Sequence, residues 1–233
     1  MKIRVRSFII SILLATAFSS FAQPCISGFK YRLPVLVDNT GNGNTLTSFQ
    51  VKLVFNSQDL VVSGKMQANG GDLRMRDKTG NSLAFWIENG TMNQPTTVVW
   101  VNIPTIAANS ADTIYAFYGR ESASSLSNGA TTFDFFDDFN GSVLNAAIWD
   151  DCGGGDITVA GGTLTLSSSS SATNIHIKSA TAFSGQVRSE AKVTSVSQGV
   201  ALLGQINAND SGWAMGYEQL VTNNKVMRLV SLR

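Results

Sequence analysis

Apolar and polar residues alternate along most of the chain with a period of two. Tyr31, Leu33, Val35 and Val37 fall on one side of an extended segment. Phe49, Val51, Leu53 and Phe55 fall on one side of another, and Gln50, Lys52 and Asn56 break the opposite side. Successive side chains of a pleated backbone point to opposite faces, so this period predicts strands with one buried face. The apolar run Val98–Ile103, ended by Pro104, predicts a buried central strand. Ile114–Tyr118, ended by Gly119, predicts another strand. Turn-forming clusters at Asn39–Asn44, Asn69–Asp72 and Asp77–Asn81 separate these runs, and short strands at such spacing predict a β-sandwich.

The same pattern resumes later in the chain. Asp156–Val159 and Thr163–Leu166 flank Gly161-Gly162 and predict a hairpin. Val187, Ser189, Ala191 and Val193 alternate with Arg188, Glu190 and Lys192, and Val200–Ile206 and Trp213–Leu220 follow as further strands. A long helical period is not seen after the first 22 residues; one short helical turn is expected near Val143–Ile148. Between the two sets of strands, Glu121–Thr132 (ESASSLSNGATT) is rich in small residues and reads as a linker. Phe133–Trp149 (FDFFDDFNGSVLNAAIW) then reads as the opening strand of a second domain. The expectation is an all-β chain of two β-sandwich modules in series, residues 23–120 and 133–233. With 101 residues, the second module is expected to be a jelly-roll-like sandwich that is incomplete.

The first 22 residues break this pattern. Lys2, Arg4 and Arg6 precede the apolar stretch Phe8–Ala17, and Ser20-Phe21-Ala22 has small residues where a signal peptidase reads. This predicts a signal peptide cleaved between Ala22 and Gln23, and a secreted, periplasmic or cell-surface protein. The apolar stretch is shorter than the roughly 20 residues of a spanning helix. Pro24 before Cys25 argues against a lipid anchor, and no later segment predicts a transmembrane helix. The first 22 residues hold three of the 17 basic residues and none of the 16 acidic ones, which leaves the remainder at −2. The charges are scattered along the sequence, so nucleic acid is not expected as a partner. Export permits a disulfide, and Cys25 and Cys152 are the two cysteines that could form it.

Particular residues carry a family resemblance. Tyr31-Arg32, Leu46–Val54, Gly71-Asp72-Leu73-Arg74-Met75 with Asp77, Leu83–Glu88, Val99–Pro104 and Thr113–Gly119 together resemble the bacterial domain of unknown function 2341 (DUF2341). That resemblance implies architecture and an exported context but no chemistry. Phe136-Asp137-Asp138-Phe139-Asn140-Gly141, Leu144, Trp149, Gly161–Leu164 and Glu190–Val193 resemble concanavalin A-like or laminin G-like domains. This second resemblance implies sugar binding or adhesion.

The candidate sites are few. Asp137, Asp138 and Asn140 offer the hard oxygen ligands of a structural calcium ion, the one cofactor expected, against a turn in which they bond their own backbone. Trp213 and Tyr217, with Gly212 and Gly216 beside them, could present aromatic faces to a sugar; core packing is the competing reading. Core packing is also the better reading of Trp149, Trp86 and Trp100, and turn or strand-end roles of Asp72 and Asp77. The acidic cluster of the form Glu-x-Asp-x-x-Glu that glycosidases of the second resemblance carry is absent, and Glu190 stands between two basic residues. His176 is the single histidine, its neighbouring serines lie in a Ser-rich tract, and no Gly-x-Ser-x-Gly elbow exists. Gly153-Gly154-Gly155 lacks the Lys-Ser/Thr of a phosphate loop. The expectation is a non-catalytic binding or adhesion module for a glycan or cell-surface polymer. The alternatives are an accessory region of a secreted carbohydrate-active enzyme whose catalytic domain lies elsewhere, and a structural spacer.

Overall fold

The computed structural model describes residues 25–167, 175–183 and 191, and the strand backbone of residues 199–206, 212–219 and 225–232. The expected signal peptide with Ala22 and Gln23, the Ser-rich tip from 168 onward and the strand expected at Val187–Val193, Ala191 excepted, lie outside the described residues. In chain order the elements are β1 (Tyr31–Asp38), β2 (Leu46–Phe55), α1 (Gln58–Val62), β3 (Arg74–Arg76), β4 (Ser82–Leu83), β5 (Phe85–Ile87), β6 (Thr97–Ile106), β7 (Ala111–Tyr118), α2 (Gly129–Thr132), β8 (Trp149–Asp151), β9 (Asp156–Ala160), β10 (Thr163–Ser167), β11 (Ile177–Ser179), β12 (Gly199–Ile206), β13 (Gly212–Gln219) and β14 (Lys225–Leu232). The architecture is all-β, as the alternation requires. Asn145 O accepts from Ile148 N–H and Trp149 N–H, both at 3.0 Å, which makes one helical turn at the C-terminal end of the stretch where it was expected.

The chain divides into two compact units. The first comprises Met1–Leu144 and Gly155–Ser169, the second Asn145–Gly154 and Ser170–Arg233. In the first unit two antiparallel sheets, ordered β1-β7-β3-β4 and β2-β6-β5, share one apolar core. Val37 of β1, Met75 of β3 and Ile114 of β7 meet Val51 and Leu53 of β2 and Val99, Val101 and Ile103 of β6. The chain moves from one sheet to the other at Ala84, the single residue between β4 and β5, and Leu83, Phe85 and Ile87 all stay in the core.

Pro104 does not end β6, which continues to Ile106. A proline can sit in a ladder where its missing N–H leaves no partner waiting. Here β5 pairs with β6 only from Val99 to Val101. On the other side the ladder with β2 runs Thr47↔Thr105 and then Phe49↔Ile103. Ser48, skipped in that ladder opposite Pro104, has a left-handed backbone at φ 45°.

The segment expected to be a linker belongs to the first unit. Its main chain bonds to the sandwich: Asn128 N–H donates to Phe85 O at 2.8 Å, and Ile87 N–H donates to Ser127 Oγ at 2.8 Å. Asn128 caps α2 by accepting from Thr131 N–H. Phe133 and Phe136 then stack on each other, with centroids 5.7 Å apart, and cover Trp86 and Trp100 edge-on at 4.9–5.9 Å. Trp86 and Trp100 are cross-strand neighbours of β5 and β6 on the face turned away from the shared core. The aromatic cover makes β6 a strand buried on both sides. It also places Phe133–Phe136 inside the first unit, which runs on to Leu144 and takes in Gly155–Ser169, instead of at the opening of a second one.

The β9–β10 hairpin also falls in the first unit. Its two-residue turn is Gly161-Gly162, with φ 57° and 76°, the positive values of a type I′ connection. The hairpin reaches the turn that precedes it, since a Cβ on Gly162 would lie 3.4 Å from Asn140 Oδ1 and 3.6 Å from Asp138 O. In the second unit, β8 pairs with β11, and β12, β13 and β14 form an antiparallel meander.

Candidate functional site

The carboxylates of the first unit are held by the backbone. Asp72 is 1 % exposed; its Oδ1 accepts from Gln67 N–H at 3.0 Å and its Oδ2 from Gly119 N–H at 2.6 Å. It thereby fastens the loop before β3 to the end of β7, where Gly119 turns the chain at φ 89°. Asp77 organises the β3–β4 turn. Its Oδ1 accepts from Thr79 N–H, Thr79 Oγ1–H and Asn81 N–H at 2.7–2.9 Å, and its Oδ2 accepts from Asn81 Nδ2 at 2.9 Å. Burial pushes the Asp77 carboxyl up, but the donors of Thr79 and Asn81 outweigh it and hold the group below the ordinary carboxylate range. The turn and strand-end roles expected of both aspartates are the roles they have.

Asp77, Lys78, Asp112 and Thr113 rim a recess of about 200 Å³ whose apolar wall includes Val37, Ile106 and Ile114. Lys78 Nζ and Asp112 Oδ2 form an ion pair at 2.9 Å on its rim. Bonds from Thr79 and Asn81 hold the Asp77 oxygens within the turn, so this edge of the recess is an ordered turn.

Asp137, Asp138 and Asn140 form local turns. Phe139 N–H donates to Asp137 Oδ1 at 2.7 Å, and Asn140 donates to Asp138 through its backbone N–H at 3.4 Å and its Nδ2 at 2.5 Å. Phe139 takes φ 52° between them. Among the described residues no three His, Cys, Asp or Glu side chains are grouped to hold a metal ion. Cys25 is an exposed free thiol and Cys152 a half-buried one. Trp149, half-buried, starts β8 opposite Ser179, and His176 is exposed, its carbonyl accepting from Cys152 N–H. Trp213 and Tyr217 stand four residues apart on β13, the central strand of its meander. Their side chains and Glu190 lie outside the described residues.

The outer face of β1-β7-β3 carries an arrangement that sequence reading missed. Arg32, Phe117 and Arg74 occupy one cross-strand row, and Pro34, Tyr115 and Arg76 the next. Arg32 lies over the Tyr115 ring at 5.0 Å. Arg74 and Arg120 lie 5.5 and 5.8 Å from the Phe29 ring. Tyr115 and Phe117 are buried beneath this layer. Arg32 and Arg120 are exposed, and Arg74 and Arg76 are half-buried. Four arginines scattered along the sequence are therefore brought near one another, three on one side of the sheet and Arg120 at the Phe29 ring beside them. The available signal was the alternation itself: Arg74 and Arg76 share a parity, and Arg32 is out of phase with core-facing Val35 and Val37.

Residues 69–152 match the family model described as "Domain of unknown function (DUF2341)". The match begins before β3 and runs through the aromatic segment at Phe133–Phe136, across the boundary that sequence reading placed before residue 133. No curated protein and no solved structure matches the chain.

Proposed function

We propose that the chain is an exported, non-catalytic binding or adhesion module whose ligand is a glycan or cell-surface polymer. One observation carries the non-catalytic part of this reading. Asp72 and Asp77 are committed to backbone and turn hydrogen bonds, while a group of guanidinium side chains is displayed on a sheet face. A general acid or base needs a carboxyl within hydrogen-bond reach of substrate, and these two are already engaged. Export rests on the basic, apolar and small-residue succession of the first 22 residues. A calcium ion is not needed to explain the Asp137–Asn140 turn, whose aspartates accept bonds from their own loop.

Incubating the full chain with a panel of polysaccharides tests the reading. Retention of the protein on at least one polymer, with no release of reducing ends, is the expected result. Cleavage of any polymer, or retention on none, would overturn it.

A further inference from the structure

We infer that the outer face of β1-β7-β3 is a docking surface for an acidic polysaccharide, engaged through the guanidinium groups of Arg32, Arg76 and Arg120 around the charge of Arg74. The inference rests on the binding-module reading above and names its ligand class. The four arginines come from three separated parts of the chain, and register places three of them together. Arg32 and Arg74 are separated by one intervening strand, so their backbones lie about 10 Å apart. Arg76 follows Arg74 by about 7 Å along β3. Arg120 joins them at Phe29, the ring it shares with Arg74.

Three features favour a ligand over simple surface solvation. First, the rings restrict the guanidinium groups, so less side-chain freedom is lost when an anion binds. Second, the cations crowd one another. Arg74 is held below the usual arginine range first by burial and then by Arg120, with Arg76 adding to it and Asp72 opposing. Bringing an anion to the face relieves that repulsion. Third, two carboxylates beside Arg74 and Arg120 have partners of their own: Asp72 is buried against two backbone N–H groups, and Glu121 pairs with Lys30 at 3.3 Å.

Arg74 spends its own donors on the carbonyls of Gly71, Leu73 and Ser124, and Arg76 donates through Nη1 to the Gly80 carbonyl at 3.1 Å, so the half-buried pair chiefly supplies charge while the exposed guanidinium groups of Arg32 and Arg120, with five N–H donors each, chiefly supply contacts. Planar guanidinium groups match carboxylates and sulfates through paired N–H donors. A row of them on an open sheet suits an extended polymer with repeated anionic groups. The chain beyond its first 22 residues carries a net charge of −2, so the attraction is local to this face.

The test is equilibrium binding of the full chain to polygalacturonate and dextran sulfate, with neutral dextran and anionic phospholipid vesicles as comparison arms. The acidic polysaccharides should bind, neutral dextran should not, and added salt should weaken the binding. Arg32→Gln/Arg120→Gln should weaken it about tenfold, the sum of two exposed charge contacts. Arg32→Lys/Arg120→Lys should recover most of the loss. A melting temperature equal to the parent's establishes that the variants fold, and Arg120→Gln alone replaces the double variant if it does not. Undiminished binding by a folded glutamine variant would overturn the proposal, as would tighter binding to the vesicles. Retention on neutral polysaccharide alone would sink this inference and leave the binding-module reading standing. Retention on no polymer would sink both.

Discussion

The two sheets of the first unit treat their outward faces in opposite ways. The β2-β6-β5 face carries Trp86 and Trp100, and the chain returns to cover them with Phe133 and Phe136. The β1-β7-β3 face carries Tyr115 and Phe117, and side chains cover those rings, most directly Arg32 over Tyr115. Both solutions keep large aromatics out of water. One uses apolar area and main-chain hydrogen bonds. The other uses the aliphatic stems of arginine and leaves charge at the surface. The difference separates a face closed by a returning segment of the chain from a face covered by the charged side chains of its own strands.

The sharpest way to break this comparison is to remove the aromatic that the closed face is built around. Trp100 is 7 % exposed, packs against Phe133 and supports Lys52 at 5.0 Å from its ring. Trp100→Ala should destabilise the first unit by about 3–5 kcal/mol, the usual cost of deleting a buried large aromatic. Urea denaturation followed by tryptophan fluorescence measures it, with Trp86 still reporting. A loss below about 1 kcal/mol would mean the cover is ornamental.

A smaller effect is expected where the covering segment itself is tightest. Gly129, in α2, has no room for a side chain: a Cβ there would stand 2.2 Å from the Phe136 ring. Gly129→Ala therefore has to displace Phe136 from Trp86. The expected loss is about 1–3 kcal/mol, typical of overpacking, even though alanine favours a helix more than glycine does. A near-ultraviolet circular dichroism spectrum should change with the tryptophan environment. An unchanged spectrum and unchanged stability would show that the segment yields freely.

These two tests also bear on what could be read in the sequence. β1, β2, β6 and β7 were legible because each buries one face against a common core and so alternates. The Gly161-Gly162 hairpin was legible because its turn requires positive φ at both positions. The covering segment was not. Residues 121–132 bind chiefly through their main chain and small polar groups, as in Asn128 N–H to Phe85 O. Backbone bonding of that kind leaves no apolar period behind it. Phe133 and Phe136 were visible as hydrophobic residues, but the pattern cannot say which sheet they cover. The arginine face was hidden for another reason. Arg32, Arg74 and Arg76 become neighbours only through the pairing of β1 and β3 with β7.

The mildest test separates the two sides by their response to acid. The closed face is built on aromatic rings, which do not titrate. The β1-β7-β3-β4 sheet has its β3–β4 turn organised by Asp77, whose carboxyl is depressed by Thr79 and Asn81 against the opposing effect of burial. A carboxyl depressed on folding adds stability that is fully present above its unfolded value. That contribution is lost as the pH falls through the lower, folded value. Asp77 should therefore steepen the acid limb of the stability curve below about pH 4 and contribute no slope near neutrality. Asp77→Asn removes that titration and places an amide donor where Asp77 Oδ2 now accepts from Asn81 Nδ2. The variant should be less stable than the parent at neutral pH, and the gap should close as the solution is acidified. Urea midpoints of both proteins across the acid range measure the gap. A gap that stays constant on acidification would show that the turn depends on the shape of the side chain at 77 and not on its charge.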